Sequence, residues 1–258
     1  MPTSTSSVGV YQTAHNQPVV YDSSLFQAAS ISIYNSTNSL TFHRSIDTHY
    51  SGNITGSGQV ILNGTGTVTL SGATLTYSGA TTINAGKLDV LSSLTSSPIT
   101  VNSGGGLYFG TGTIHSATVS GFVDAGLHTA TATGSLSLLD GATMTLSLGG
   151  AGSSGKYTIG GQFTPAGTLS IQLAEVFNPQ FGDSFNILDF GSLGSGTFTH
   201  FDLPTLGAGL DWDTSALYTT GSISIAASAI PEPSTYAALA GAAALGLAAW
   251  RRQKRRIP

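Results

Sequence analysis

The chain has 258 residues, a net charge of −4 and only 8% charged residues, against about 25% in ordinary soluble domains. Its 34 glycines, frequent Ser and Thr and mean hydropathy of +0.18 argue for a β-rich chain with a real core, not a helical enzyme surface or a disordered polymer. The absence of cysteine excludes disulfide stapling, zinc-thiolate sites and thiol catalysis, and before Pro231 three basic residues (Arg44, Lys87, Lys156) stand against eleven acidic ones, a net of −8 that disfavours nucleic acid and anionic lipid as partners.

Residues 1–49 read as an N-terminal β region. Residues 1–30 show neither a charged start nor an apolar run, so no N-terminal signal peptide is visible there. That gap marks the region as a candidate for truncation and leaves Met1 open as the true start.

Between residues 50 and 148 a short unit recurs: an apolar residue, Asn or Asp, then Gly within two positions. It appears around Asn63, Asn84, Asn102, Asp124 and Asp140, at spacings of 21, 18, 22 and 16 residues. Asn, Asp and Gly tolerate turn conformations, so each unit reads as a turn. Between turns, apolar residues alternate: Val60 and Leu62, Val68 and Leu70, Leu75 and Tyr77, Leu88 and Val90. Period two means half-buried strands. Short strands with a turn about every 19 residues fit the rungs of a β-solenoid, in which stacking buries what one rung cannot. A hairpin sandwich shows similar signals and stays open. The recurring Asn positions either stack as a side-chain ladder inside the solenoid or serve their own turns.

The stretch from Thr55 to Ala73, followed by Tyr77-Ser78-Gly79-Ala80-Thr81-Thr82-Ile83-Asn84-Ala85-Gly86-Lys87-Leu88, resembles the autotransporter-associated β-strand repeat. The resemblance implies a right-handed parallel β-helix of a bacterial surface protein. Residues 99–148 look like looser rungs of the same kind.

After Gly150 the texture changes. Tyr157–Ile159, Thr168–Leu173, Asp183–Phe190, Gly196–Thr199 and Gly221–Ile225 read as strands of residues 149–225, which form the last rungs and a cap. A cap covers the unpaired backbone of an open terminal rung. Phe190, Phe198, Phe201 and Trp212 are read as cap packing in preference to a sugar-stacking platform. Residues 226–233 form a linker containing Pro231-Glu232-Pro233.

Residues 234–250 carry no charge and are rich in Ala and Leu, the best helix formers. Seventeen helical residues rise about 25 Å, at the low edge of what spans about 30 Å of hydrocarbon. Trp250 occupies an interfacial position. Behind it Arg251, Arg252, Lys254, Arg255 and Arg256 form a basic stop in the tail 251–258, cytoplasmic by the positive-inside rule. A buried core helix with a basic tail, or a nucleic-acid-binding tail, are the competing readings.

The order Pro231-Glu232-Pro233-Ser234-Thr235, helix and Arg-rich end resembles a PEP-CTERM sorting signal. The resemblance implies transient anchoring at the inner membrane, cleavage near Pro231-Glu232-Pro233 by an exosortase, and delivery to the cell surface or an extracellular matrix.

No catalytic set is legible. The three body cations are scattered, and lyase chemistry needs a base beside carboxylates that hold Ca²⁺. Asp211 and Asp213 flank Trp212 on one side of an expected strand, and are read as turn acids. Asp183 and Asp189 are equally unremarkable. His43, His49 and the other four histidines show no metal-ligand spacing. The expectation is therefore an all-β chain: a right-handed parallel β-helix (β-solenoid) with a C-terminal β cap, then a single C-terminal transmembrane helix. Its expected role is non-enzymatic, structural or adhesive, with no cofactor or metal and with exopolysaccharide or matrix as a candidate partner. The alternatives are a polysaccharide-processing β-helix enzyme and a fragment of a longer autotransporter-like repeat protein.

Overall fold

The computed structural model describes residues 7–10, 19–20, 30–72, 74–150, 153–228, 240–245, 247 and 250. Alternating side chains point to opposite faces of a strand, so period two sorts inside from outside. The residues carrying that period obey it: Val60, Leu62, Val68, Leu70, Leu75, Tyr77, Leu88 and Val90 are all 5% exposed or less. Successive turns of the chain lay their strands side by side in parallel, and like positions stack. One inward column runs Phe42, Leu62, Ile83, Val101, Val119, Leu138. A second, on another face, runs Val68, Leu88, Leu107, Val123, Met144, Leu169. Each rung advances about 4.8 Å. Parallel stacking of this kind is β-helix-like and excludes the hairpin sandwich for these rungs, since sandwich sheets are antiparallel.

The repeat signature is intelligible as packing. Tyr77 is fully buried, and its hydroxyl meets Thr81 Oγ1 at 2.6 Å. Thr81 Oγ1 meets Ser97 Oγ at 2.8 Å, and Ser97 donates to the Gly79 carbonyl at 2.7 Å. Four hydroxyl and carbonyl groups thus satisfy one another inside an apolar interior, where an unpaired one would be costly. A Cβ at Gly79 would lie 2.2 Å from the Gly58 carbonyl oxygen of the rung below. Gly86 has φ +68°, and a Cβ there would lie 2.3 Å from the Gly64 carbonyl oxygen. The glycines let neighbouring turns come into contact.

The Asn/Asp–Gly units do not all mark the same point of the coil. Asn63, Asn84 and Asn102 follow the stacked Leu62, Ile83 and Val101. The next position of that column is Ser120, after Val119. Asp124 stands on the second face, paired with Tyr108, and Asp140 lies one residue beyond the column position Leu139. The same residue types serve any tight turn, so the pattern alone does not say which turn it marks.

Beyond residue 150, Lys156–Thr164, Thr168–Leu173, Leu188–Leu193 and His200–Asp202 continue the parallel stack. The strand expected at 196–199 lies at His200–Asp202. Ser184–Asn186, Leu210–Asp213 and Ser222–Ala227 form an antiparallel sheet. The Gly221 carbonyl joins it to the stack, accepting from Ile187 N at 2.9 Å and Leu188 N at 3.1 Å. Phe198 and Leu217 close the core beneath, and Phe198 N donates to Tyr218 Oη at 2.8 Å.

One part of the expected fold is corrected. No helix among the described residues is long and apolar enough to cross a membrane. Helix is described at residues 240–245, 247 and 250, all exposed. The transmembrane helix expected over 234–250 is therefore withdrawn. Its length was the weak point, since about 25 Å falls short of a 30 Å hydrocarbon layer.

Candidate functional site

Pro231, Glu232 and Pro233, and Arg251, Arg252, Lys254, Arg255 and Arg256, lie outside the described residues. The described surface offers three places where chemistry gathers.

The first is an outward face of uncharged hydrogen-bonding groups. Asn84 Nδ2 donates to Asn63 Oδ1 at 2.7 Å, and Asn102 Nδ2 donates to Asn84 Oδ1 at 2.6 Å. The asparagines form a ladder, but on the outside of the solenoid. Beside it, in unbroken register, Thr82, Thr100, Thr118, Ser137 and Thr164 stack on successive rungs. The ladder position preceding Asn63 is His43, since Phe42 pairs with Leu62.

The second lies on the other face, where Lys87, Gly106 and Phe122 occupy one outward column and Asp89, Tyr108 and Asp124 the next. Phe122 covers Gly106, where a Cβ would lie 1.9 Å from the ring. Tyr108 and Phe122 meet edge to face at 5.5 Å, and Lys87 Nζ sits 5.4 Å and 5.8 Å from the two ring centres. Burial raises the Asp89 carboxyl above its usual value, with His49 opposing. Burial likewise raises Asp124, opposed by the Gly126 N–H and Lys87. This cluster escaped sequence reading because its members are 35 residues apart from Asp89 to Asp124 and only the rung register brings them together.

The third is a depression of about 420 Å³ at the seam of last rung and cap. Phe201 comes from the rung strand His200–Asp202, and Leu210, Asp211 and Trp212 from the cap strand. Leu203, Pro204, Thr205 and Leu206 complete the wall with Thr214. Trp212 donates from Nε1 to the Pro204 carbonyl at 2.8 Å, and its backbone N–H donates to Asp211 Oδ1 at 2.8 Å. Packing accounts for buried Phe198 and for Phe190 and Trp212, both partly buried against the core, whereas Phe201 is 41% exposed.

Several other acids are engaged locally. The Ser215 side chain and its backbone N–H, the latter donating to Asp213 Oδ1 at 2.9 Å, hold the Asp213 carboxyl below the usual value. Asp183 Oδ2 accepts from Gln180 N at 2.8 Å, and Asp189 pairs with Lys156. His49 Nε2 meets Ser71 Oγ at 2.6 Å, and Asp47 Oδ1 accepts from Thr67 N at 2.8 Å. Among the described residues no three His, Asp or Glu side chains converge as a metal site.

Fold and faces define a β-helix-like parallel solenoid with an antiparallel cap. Residues 60–90 match the family described as passenger-associated-transport-repeat, and residues 229–255 match the PEP-CTERM protein-sorting motif. No curated protein matches the chain. The two matches point to an exported surface protein, and the sorting motif implies processing by an exosortase-type enzyme.

Proposed function

We propose that the chain is a non-enzymatic bacterial cell-surface protein with a structural or adhesive role, trimmed at Pro231-Glu232-Pro233 during sorting. The observation that carries this reading is the sorting-motif match over 229–255 behind a repeat-built solenoid. The uncharged Thr and Asn face supports adhesion: a dense row of neutral donors and acceptors suits hydroxyl-rich polymers such as exopolysaccharide. Cell fractionation with surface protease shaving, followed by co-sedimentation with host exopolysaccharide, tests it. Surface exposure with retention is the expected result; a body confined to the cytoplasm, or free of the polysaccharide, contradicts it.

A second reading, a polysaccharide-processing enzyme, rests on Asp89 and Asp124. They stand two rungs apart in one outward column, about 9.6 Å at the usual strand spacing. That lies near the separation of an inverting carboxylate pair. Tyr108 occupies the rung between them, where the attacking water of that mechanism would stand, so the first reading is preferred.

A further inference from the structure

The depression at the seam of rung and cap belongs to no part of the repeat or of the sorting tail. Its two aromatic walls are held in different ways. Trp212 is fixed by its Nε1 bond to Pro204 and its backbone bond to Asp211. Phe201 leans edge-on against buried Phe198, 6.1 Å between ring centres, and leaves much of its surface in solvent. An aromatic supported from behind yet left exposed forgoes burial worth about 25 cal/mol per Å². A fixed ring also loses little freedom when a ligand settles on it.

The polar lining narrows the ligand. Asp211, Thr205 and Thr214 supply a carboxylate and two hydroxyls, and no Lys, Arg or His lines the wall. A wholly apolar ligand would strip water from that carboxylate at a cost. An anionic ligand would meet a negative charge with no cation to offset it. A pyranose matches instead, with one apolar C–H face for the rings and hydroxyls for the rim. The volume of about 420 Å³ is within the range of small-molecule sites, which favour seams between packed units.

We propose that this depression binds a neutral or amino hexopyranose unit of a polysaccharide, with Phe201 and Trp212 as stacking walls and Asp211 selecting against uronic acids. The inference rests on the adhesive reading for where the ligand is met.

Saturation-transfer NMR on the full chain, with cellotriose, the glucosamine trimer and trigalacturonate as probes, tests it. Transfer to either or both of the first two, and none to the third, is expected. Phe201→Ala should weaken binding at least tenfold. Because the ring leans on Phe198 and the residue pairs with Leu169, a modest fall in melting temperature is expected as well, and binding is compared at a temperature where both proteins are folded. Trp212→Phe, which keeps a ring but loses the bond to Pro204, should weaken it less. Where the amino trimer binds, Asp211→Asn should reduce its advantage over cellotriose at least threefold. No transfer from cellotriose or the amino trimer, equal transfer from trigalacturonate, or indifference to Phe201→Ala would overturn the proposal. If Phe201→Ala is without effect while the chain still co-sediments with exopolysaccharide, the site falls and the adhesive reading stands. If nothing binds and nothing co-sediments, both fall.

Discussion

Asn84 joins three rungs with one side chain, donating to Asn63 and accepting from Asn102. The amide does both, with a separate donor and acceptor atom for each neighbour. An aspartate accepts but, when ionised, cannot donate, and it would face the Asn63 oxygen with a second acceptor. Asn84→Ala should cost about 1 kcal/mol, near the net worth of a typical hydrogen bond, because water can reach this face. Asn84→Asp should cost more than Ala at neutral pH, and should regain part of that loss relative to wild type once the carboxyl is protonated. Thermal melts of the three proteins at pH 7 and pH 3 check the order.

Buried Tyr77 gives a pH signature. Burial pushes its phenol up to about 12 from 10.0. The neutral form is favoured in the fold, so its contribution is complete below pH 10. It is lost as pH rises from about 10 to about 12, and the two-unit difference corresponds to about 3 kcal/mol. Denaturation across that window should show a fall in stability that Tyr77→Phe makes shallower. At pH 7 the same substitution should cost about 1 kcal/mol, since Thr81 and Ser97 still bond each other.

Two glycines separate backbone conformation from contact. Gly86 and Gly141 both have positive φ, but only Gly86 has a neighbouring carbonyl in its way; at Gly141 nothing lies within 4 Å of a Cβ. Gly141→Ala should cost about 1 kcal/mol, the penalty of a left-handed residue. Gly86→Ala should cost several times more, because the coil must open to admit the methyl group. Chemical denaturation of both variants checks the difference, and equal losses would mean that adjacent rungs are not in contact there.

The Lys87 cluster should be cheap to break at one point and costly at another. Lys87→Ala removes a cation–π contact on an open face and should cost about 0.5–1 kcal/mol. Phe122→Ala uncovers Gly106 and should cost more. Melting temperatures of the two variants check the order.

Much of the solenoid was legible in the sequence because its signal is local. Period-two alternation names the inward residues within each strand, and Val60 through Val90 are buried as it requires. The phase of the repeat was less legible. Asp124 carries the same local pattern as Asn84 but sits on another face, because rung lengths vary and the register shifts at irregularities such as the one between Val101 and Gly104. The ladder was foreseeable as contact but not as exposure, since its place depends on where the turn faces. The depression at Phe201 and Trp212 was the hardest to foresee: one wall comes from a parallel rung, the other from an antiparallel strand, and no spacing rule joins them. At the tail, composition led to the expectation of a spanning helix, whereas no helix among the described residues is long and apolar enough to cross a membrane.

The most direct test of the central claim, export and sorting through the C-terminal motif, is intact mass and C-terminal peptide mapping of the protein recovered from its host's envelope and medium. A C-terminus near Pro231-Glu232-Pro233 on protein at the cell surface or in the medium is the predicted result. Protein found only as the full chain ending at Pro258 would contradict it.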